Sequence, residues 1–157
     1  MQYTIQPNEQ VSDEIKRIVD GKIELAIEHI DESNDRHDTV HEVRKRCKEI
    51  RAAVRLVRPV LPTYKQENVH YRDAARRISD IRDAHAAIET FDDHLRPAVE
   101  ARGVLDDQTL SDIRSILVDR RETLAAEQNL TPRLTGVRED LIAGRPRVPH
   151  LPIATDR

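Results

Sequence analysis

The sequence predicts an all-α fold, an antiparallel helical bundle of about four long helices followed by a short fifth. Apolar residues recur at helical spacing along most of the 157-residue chain, and no alternating stretch is long enough to predict a strand. Aromatic residues make up only 3% of the chain and Trp is absent, so the core must consist of Ile, Leu, Val and Ala. A chain of this length supports one modest core, and we therefore expect a single helical domain over residues 1–144.

The first two helices are predicted from their caps and apolar stripes. Ser12 can cap a first helix that runs to residue 31, and Asp38 can cap a second helix after a polar connection. Pro59 and Pro62 then kink and end the second helix. Because the single cysteine, Cys47, lies on the apolar stripe of that helix, we expect a buried thiol and no disulfide. The stripe consists of Val40, Val43, Cys47, Ile50, Val54, Val57 and Leu61.

The later helices follow from periodicity and from the positions of proline and glycine. A third helix is predicted over residues 67–95 and a fourth over residues 106–128. Thr131 followed by Pro132 is typical of a cap and first turn, which predicts a short fifth helix that ends at Gly144. Residues 145–157 contain three prolines and are expected to form a flexible C-terminal tail.

The second helix also carries a row of basic side chains opposite its apolar stripe. These residues fall within an arc of roughly 120°, at the spacing of helical neighbours. By the same angle count Glu42 and Glu49 lie outside the arc, so the row is expected to contain no anion of its own. Like charges at this spacing destabilise an isolated helix, and an anion from outside the chain is their natural partner. The row, called the basic row below, consists of His41, Arg44, Lys45, Lys48, Arg51 and Arg55.

The basic row has other interpretations. It could be the solvated face of a structural helical scaffold or interaction module, as most charged runs are. A nucleic-acid-binding helical protein would share the row, but aromatic stacking platforms are nearly absent, which disfavours nucleic acid as the partner. The net charge of −3, from 26 basic and 29 acidic residues, does not by itself predict a polyanion partner.

Catalytic and metal sites are not predicted. His41 could accept a phosphoryl group, as in histidine phosphotransfer bundles, but Lys45 occupies the position where such bundles usually have a small glycine. His37 and His41, with Asp38 between them, could hold a metal, although this spacing is common by chance. No paired carboxylates, nucleophile–base pair or glycine-rich phosphate loop is visible. We therefore expect no enzyme activity, no cofactor and no metal.

The sequence gives no indication of a membrane segment. No apolar run reaches the length of a transmembrane helix, and the first ten residues lack the pattern of a secretory signal. We therefore expect a soluble cytoplasmic protein with no membrane partner.

Two segments resemble a known family. HEVRKRCKEIRAAVRLVRP, which contains the basic row, is similar to the signature helix of the CHAD family, the conserved-histidine α-helical domain. Asn68 and the segment YRDAARRISDIRDA from Tyr71 to Ala84 resemble the family's next helix, and the opening YTIQPNEQV is similar to its usual start. The resemblance covers residues 1–95 well and residues 96–144 as compatible helices.

This resemblance implies non-catalytic binding of inorganic polyphosphate by a basic groove, in the cytoplasm and in association with polyphosphate granules. The candidate residues match basic positions of the family's signature helix and of its next helix. Lys45 does not come from the resemblance and is included because it lies in the basic row. Arg82 has a second interpretation, as the partner of Asp80, Asp83 or another carboxylate. The candidate polyphosphate-binding residues are His41, Arg44, Lys45, Lys48, Arg51, Arg55, Arg72, Arg76 and Arg82.

The chain departs from the family pattern in its length. Family members commonly contain two related helical bundles, each giving a basic helix to the anion site, and this chain resembles the N-terminal half of such a domain. Either half a site suffices, or a homodimer supplies the other half, or a partner chain does. We expect a homodimer, because a flat basic surface surrounds little of a polyanion.

Overall fold

The computed structural model describes residues 10–154, and every regular element in that range is helical. The all-α prediction is therefore confirmed for this part of the chain, but the helices are shorter and more numerous than predicted. Three short helical turns, Arg58–Val60, Phe91–Leu95 and Arg145–His150, join or extend the α-helices. The α-helices are α1 (Val11–Glu32), α2 (Arg36–Leu56), α3 (Tyr64–Arg76), α4 (Ser79–Thr90), α5 (Arg96–Arg102), α6 (Asp107–Ala125) and α7 (Glu127–Gly144).

The centre of the bundle is the pair α1 and α2. They are joined by only three residues and pack along their lengths, which makes them antiparallel. All seven residues of the predicted α2 stripe are buried, and α3 and α7 cover the remaining sides of this core. Burying a Val, Leu or Ile side chain contributes about 1.5–3 kcal/mol, so these four helices supply most of the hydrophobic stabilisation.

A second and thinner layer is formed by α4 and α6. The α4 helix buries Ile81, Ala84 and Ile88, whereas α6 buries only Leu110. Ile116 on α6 is 68% exposed. The α6 helix therefore adds little to the core, and its main role in the fold is to flank α4.

The predicted third helix is interrupted where α3 meets α4. The amides of Arg77 and Ile78 bond three residues back, to Ala74 and Ala75, instead of four. The hydroxyl of Ser79 donates to the carbonyl oxygen of Ala75 at 3.0 Å, which competes with the helical ladder. The helix therefore bends without a proline or a glycine, and the continuous helix predicted over residues 67–95 is wrong.

The boundary between the last two helices also differs from the prediction. The chain turns at Ala126, whose ψ of 137° ends α6, and α7 begins at Glu127. Pro132 therefore lies inside α7 rather than in its first turn. It is exposed and close to the helix start, so its missing N–H removes only one hydrogen bond near a helix end.

The C-terminal segment differs from the predicted flexible tail. Val148 and Leu151 are buried in the core, and the amide of Ala154 donates a 2.9 Å hydrogen bond to the carbonyl oxygen of Val60. Arg145 and Arg147 bind carboxylates of α1 and α3. Residues 145–154 are therefore part of the domain, and residues 155–157 lie outside the described residues.

None of the helices between residues 10 and 154 combines the length and the apolar character needed to cross a bilayer.

Candidate functional site

The basic row lies along the edge of α2 that faces α3 and α4. Arg51 Nε donates a 2.9 Å hydrogen bond to the side-chain oxygen of Asn68 on α3. Two turns earlier on α2, Arg44 Nη1 donates to the carbonyl oxygen of Ser79 at 3.4 Å and to Asp83 Oδ1 at 3.2 Å. From Arg51 back to Arg44 along α2, the partner residues advance from Asn68 on α3 to Ser79 and Asp83 on α4. The two sides are therefore antiparallel, and the basic row borders the groove between them.

Carboxylates do not neutralise the middle of the basic row. Lys48 and Arg55 are exposed, and within residues 10–154 neither side chain has a carboxylate at ion-pair distance. Arg51 is half-buried but is held by the neutral amide of Asn68, so its charge is not compensated. Three cations on one helix face are thus left to solvent or to a ligand.

Arginines in several other parts of the structure are paired instead. Each of six arginines donates two hydrogen bonds to a single carboxylate, in the bidentate geometry that is among the strongest polar contacts in proteins. In the described part of the chain no member of the basic row has such a pair. The six pairs are Arg138–Asp31, Arg145–Asp20, Arg147–Glu67, Arg114–Asp92, Arg77–Asp140 and Arg17–Glu14.

The expectation that the basic row contains no anion is wrong at its N-terminal end. Glu42 Oε1 lies 3.3 Å from Lys45 Nζ and 3.9 Å from His41 Nε2. The same carboxylate accepts a 2.8 Å hydrogen bond from Arg46. The angle count missed these contacts because long side chains bend toward each other across the arc. The N-terminal end is therefore partly neutralised, and the free charge is concentrated from Lys48 onward.

The two candidate residues on α3 lie one turn apart on the same face of that helix. Arg72 Nε donates to Asp73 Oδ1 at 2.9 Å, and Arg76 Nη1 lies 3.6 Å from the same oxygen. Arg72 follows Asn68, the partner of Arg51, by one turn of α3. Arg76 lines a separate open cavity of about 740 Å³ between α3 and α7. Arg72 is therefore the candidate nearer to the Arg51–Asn68 contact, and both arginines are paired with Asp73.

A smaller cavity of about 330 Å³ lies at the N-terminal end of α2 and contains the remaining candidates, His41 and Arg82. Arg82 Nη1 donates a 2.9 Å hydrogen bond to Glu89 Oε2, so its partner is a carboxylate that the sequence analysis did not name. This hydrogen bond holds the pKa of Glu89 below its usual value of 4.5. The cavity, called the histidine cavity below, is lined by Asp35, His37, Asp38, His41, Arg82, His85 and Glu89.

The first turn of α2 is capped by Asp35 and not by Asp38. The Asp35 carboxylate accepts hydrogen bonds from the backbone amides of His37 and Asp38, at 3.0 and 3.1 Å. A side-chain oxygen that satisfies the free amides of a first turn stabilises a helix by about 0.5–2 kcal/mol. The cap therefore fixes the position of His37 at the mouth of the histidine cavity.

Sequence reasoning missed the groups that hold the basic row in place. Asn68 and Ser79 bind the guanidinium groups of Arg51 and Arg44, but nothing in a single helical pattern indicates which helix lies opposite. His85 and Glu89 were detectable in principle, because they lie one turn apart on α4. Only the packing of α4 against α2 brings them to His37 and His41.

The remaining observations concern the cysteine and the possible metal ligands. Burial raises the pKa of the Cys47 thiol to about 12, which agrees with a core role for this residue. Among residues 10–154, no group of three or more His, Cys, Asp or Glu side chains is placed to hold a metal ion.

Comparison with known proteins identifies the family. The family model of the CHAD domain matches residues 18–143, a range that contains the whole basic row and both sides of its groove. Comparison with curated proteins and with solved structures found no match. Because the family model covers most of the chain, this protein belongs to the CHAD domain family.

Proposed function

We propose that this protein binds inorganic polyphosphate without catalysis, along the groove that the basic row borders. The observation that carries the proposal is the set of uncompensated cations in the middle of the row, Lys48, Arg51 and Arg55. Arg72, one turn after Asn68 on α3, is a further candidate whose guanidinium already contacts Asp73. Membership of the CHAD family supports the choice of polyphosphate among polyanions.

The dimensions of the basic row suit a linear polyanion. From His41 to Arg55 the helix rises about 21 Å, so several consecutive phosphates can meet it at once. Arginine donates forked hydrogen bonds to phosphate oxygens, and lysine acts as a compact charge. Arg44 and Arg51 are already held by Ser79 and Asn68, so they lose less side-chain freedom when an anion binds.

Electrostatic binding of this kind depends on salt. A polyanion carries condensed counterions, and each contact with a cation releases some of them. By analogy with nucleic acids, affinity should fall linearly with the logarithm of the salt concentration, with a slope of about 0.7–0.9 per phosphate contacted. The slope therefore counts the phosphates that the groove engages.

The test compares two double variants with the same change in charge. Lys48→Gln/Arg55→Gln removes two exposed cations of the row, whereas Arg102→Gln/Arg138→Gln removes two exposed cations on α5 and α7. We expect the first variant to bind long-chain polyphosphate at least tenfold more weakly, with a salt slope reduced by about two contacts. The control variant should bind within about twofold of the wild type, because neither side chain belongs to the basic row and distant surface charges are screened by salt.

Single-stranded RNA and orthophosphate serve as competitors in the same titration. Displacement by RNA at equal or lower concentration would move the protein to the nucleic-acid-binding class. Unchanged binding in the Lys48→Gln/Arg55→Gln variant, with its helical circular dichroism intact, would exclude the groove as the site.

The homodimer belongs to the same proposal. The groove presents its cations on one wall, and a second copy would enclose the polymer from the other side. Light scattering of the protein with and without polyphosphate chains of defined length measures this directly. A complex that contains one protein molecule per chain, at chain lengths that could hold two, would contradict the dimer and leave groove binding intact.

A further inference from the structure

The histidine cavity contains a pair of stacked imidazoles that the proposed function does not use. The rings of His37 on α2 and His85 on α4 lie with their centroids 5.3 Å apart and their planes 24° from parallel. His85 Nε2 lies 3.4 Å from Glu89 Oε1. His85 Nδ1 is buried, and among the described residues it has no hydrogen-bond partner. A buried ring nitrogen without a partner is costly for a structural histidine and indicates another role.

Charged groups of both signs face this pair from every neighbouring element. The start of α2 presents Asp35, Asp38 and His41, and α4 presents Arg82 and Glu89. Arg121 of α6 lies near enough to act on His37 electrostatically. On the α1 side, a separate shallow groove shares only Asp38 with this cavity and adds Glu28, His29 and Glu32 beyond it.

The net charge of the cavity changes sign with the protonation state of its imidazoles. Three carboxylates, Asp35, Asp38 and Glu89, face the guanidinium groups of Arg82 and Arg121, which leaves one net negative charge when the histidines are neutral. Glu42, 3.9 Å from His41, is left out of this sum because Lys45 and Arg46 offset its charge. Protonation of His37, His41 and His85 adds three positive charges and leaves two net positive charges. The cavity therefore repels a polyanion at high pH and attracts it at low pH.

The cavity is also continuous with the basic row. His41 is both a lining residue of the cavity and the first member of the row. Arg44, one turn further along α2, contacts Asp83, which neighbours Arg82 on α4. A polymer that lies along the groove and extends past Arg44 therefore reaches the histidine cavity next.

We propose that the histidine cavity is a pH-controlled extension of the polyphosphate groove. Phosphate groups of the polymer replace Glu89 beside Arg82 and His85, and the imidazoles take up protons from solvent as the polymer binds. This inference rests on the proposed function, because the polymer must already occupy the groove. Its consequence is that the bound footprint is longer at mildly acidic pH than at alkaline pH.

The ionisation of the free protein supports this order of events. Burial lowers the pKa of His37, and the charges of Arg121 and His85 lower it further, so the ring is neutral at pH 7 before an anion arrives. A phosphate beside the ring favours the protonated form and raises its pKa. Affinity gained in this way is present below the raised pKa and is lost as the pH rises through it.

The test measures binding of long-chain polyphosphate at pH 6 and pH 8 at constant ionic strength. Chains of this length have few terminal groups, so the polymer's own titration contributes little. We compare the wild type with His37→Gln/His85→Gln and with the control His94→Gln/His150→Gln, which removes two exposed imidazoles elsewhere. The wild type and the control should bind on the order of tenfold more tightly at pH 6, with a steeper salt slope. The cavity variant should lose most of both differences.

A second measurement remains informative if the cavity variant folds poorly. Titration of the imidazole protons of the wild type by nuclear magnetic resonance, with and without polyphosphate, should show the pKa of His37 raised by the polymer. An unchanged pKa, or equal pH dependence in the two double variants, would overturn the inference. Binding at pH 8 that still depends on the basic row would leave the proposed function standing. Absence of polyphosphate binding at both pH values would overturn both.

Discussion

At the scale of single residues, Asn68 decides the charge of the groove. Its neutral side-chain oxygen accepts one hydrogen bond from Arg51 Nε. Several other arginines of this chain donate to a carboxylate instead. A hydrogen bond to an ionised acceptor is roughly twice as strong as one to a neutral acceptor. The contact between Arg51 and Asn68 is therefore weaker than a contact with a carboxylate would be. It leaves the positive charge of Arg51 uncompensated and available to an external anion.

Replacing this amide by a carboxylate tests that interpretation. Asn68→Asp keeps the size of the side chain but adds a negative charge beside Arg51. We expect polyphosphate to bind at least fivefold more weakly, while the free energy of unfolding stays equal or rises by up to about 1 kcal/mol from the new ion pair. Binding is measured by titration at fixed salt, and stability by urea denaturation.

A matched substitution separates local from general charge effects. Asn129→Asp adds the same charge near the start of α7, away from the groove, and should leave the affinity within about twofold, since distant surface charges are screened by salt. Equal losses in the two variants would show that net charge, rather than Arg51, controls binding.

At the scale of helices, α1 and α2 are held together by a polar bridge beside their apolar core. Lys22 of α1 is 4% exposed, and its Nζ lies 3.1 Å from Glu49 Oε2 of α2. Arg46 donates to the same carboxylate at 3.0 Å. Although partial burial of Glu49 acts in the opposite direction, the hydrogen bonds from Arg46 and Lys22 lower its pKa from the usual 4.5. The bridge therefore stays ionised at neutral pH.

The bridge predicts how stability depends on pH. Glu49→Gln removes the negative charge that Lys22 and Arg46 contact, which should lower the free energy of unfolding at pH 7 by about 2 kcal/mol. Because the folded-state pKa of Glu49 is depressed, the contribution is fully present above pH 4.5 and is lost as the pH falls through the lower folded-state value. Urea denaturation at pH 7 and at pH 3 should show the difference between variant and wild type shrinking at the lower pH.

The control for this pair is Glu28→Gln on the exposed side of α1, which should change stability by less than about 0.5 kcal/mol. If Glu49→Gln cost the same amount at pH 3 as at pH 7, packing of the side chain rather than its charge would account for the loss.

The helices also show how far a sequence pattern reaches. Apolar periodicity identified most of the buried face of α2 and missed only Thr39 and Ala53, because burial repeats with the helical turn whatever the neighbouring helix is. It could not predict the break after α3, which depends on a serine hydroxyl competing for a backbone carbonyl. Likewise the basic row was visible on one helix, whereas the groove beside it and the histidine cavity depend on which helices pack against α2. Periodicity within one helix carries no information about that pairing.

At the scale of the whole molecule, the C-terminal segment closes the bundle. Val148 and Leu151 fill the core between α1, α3 and α7, and the guanidinium of Arg147 binds the carboxylate of Glu67, which is 3% exposed. Arg145 binds Asp20 on α1. The three prolines of this segment limit its freedom in the unfolded chain, so less entropy is lost when it packs.

Removal of this segment is therefore expected to destabilise the fold without removing the groove. A chain that ends at Gly144 loses the burial of Val148 and Leu151, which together contribute about 3–6 kcal/mol, and leaves Glu67 as a buried charge without its partner. Since domains of this size are stable by about 5–15 kcal/mol, the urea midpoint should fall by a large fraction.

His150→Ala, an exposed change in the same turn, should leave the midpoint nearly unchanged. Because no hydrogen bond or ion pair joins Lys48, Arg51 or Arg55 to residues 145–154, the shortened chain should still bind polyphosphate at temperatures where circular dichroism shows it folded. An unchanged midpoint would mean that residues 145–154 do not support the core, and loss of binding in the folded, shortened chain would mean that they contribute to the anion site.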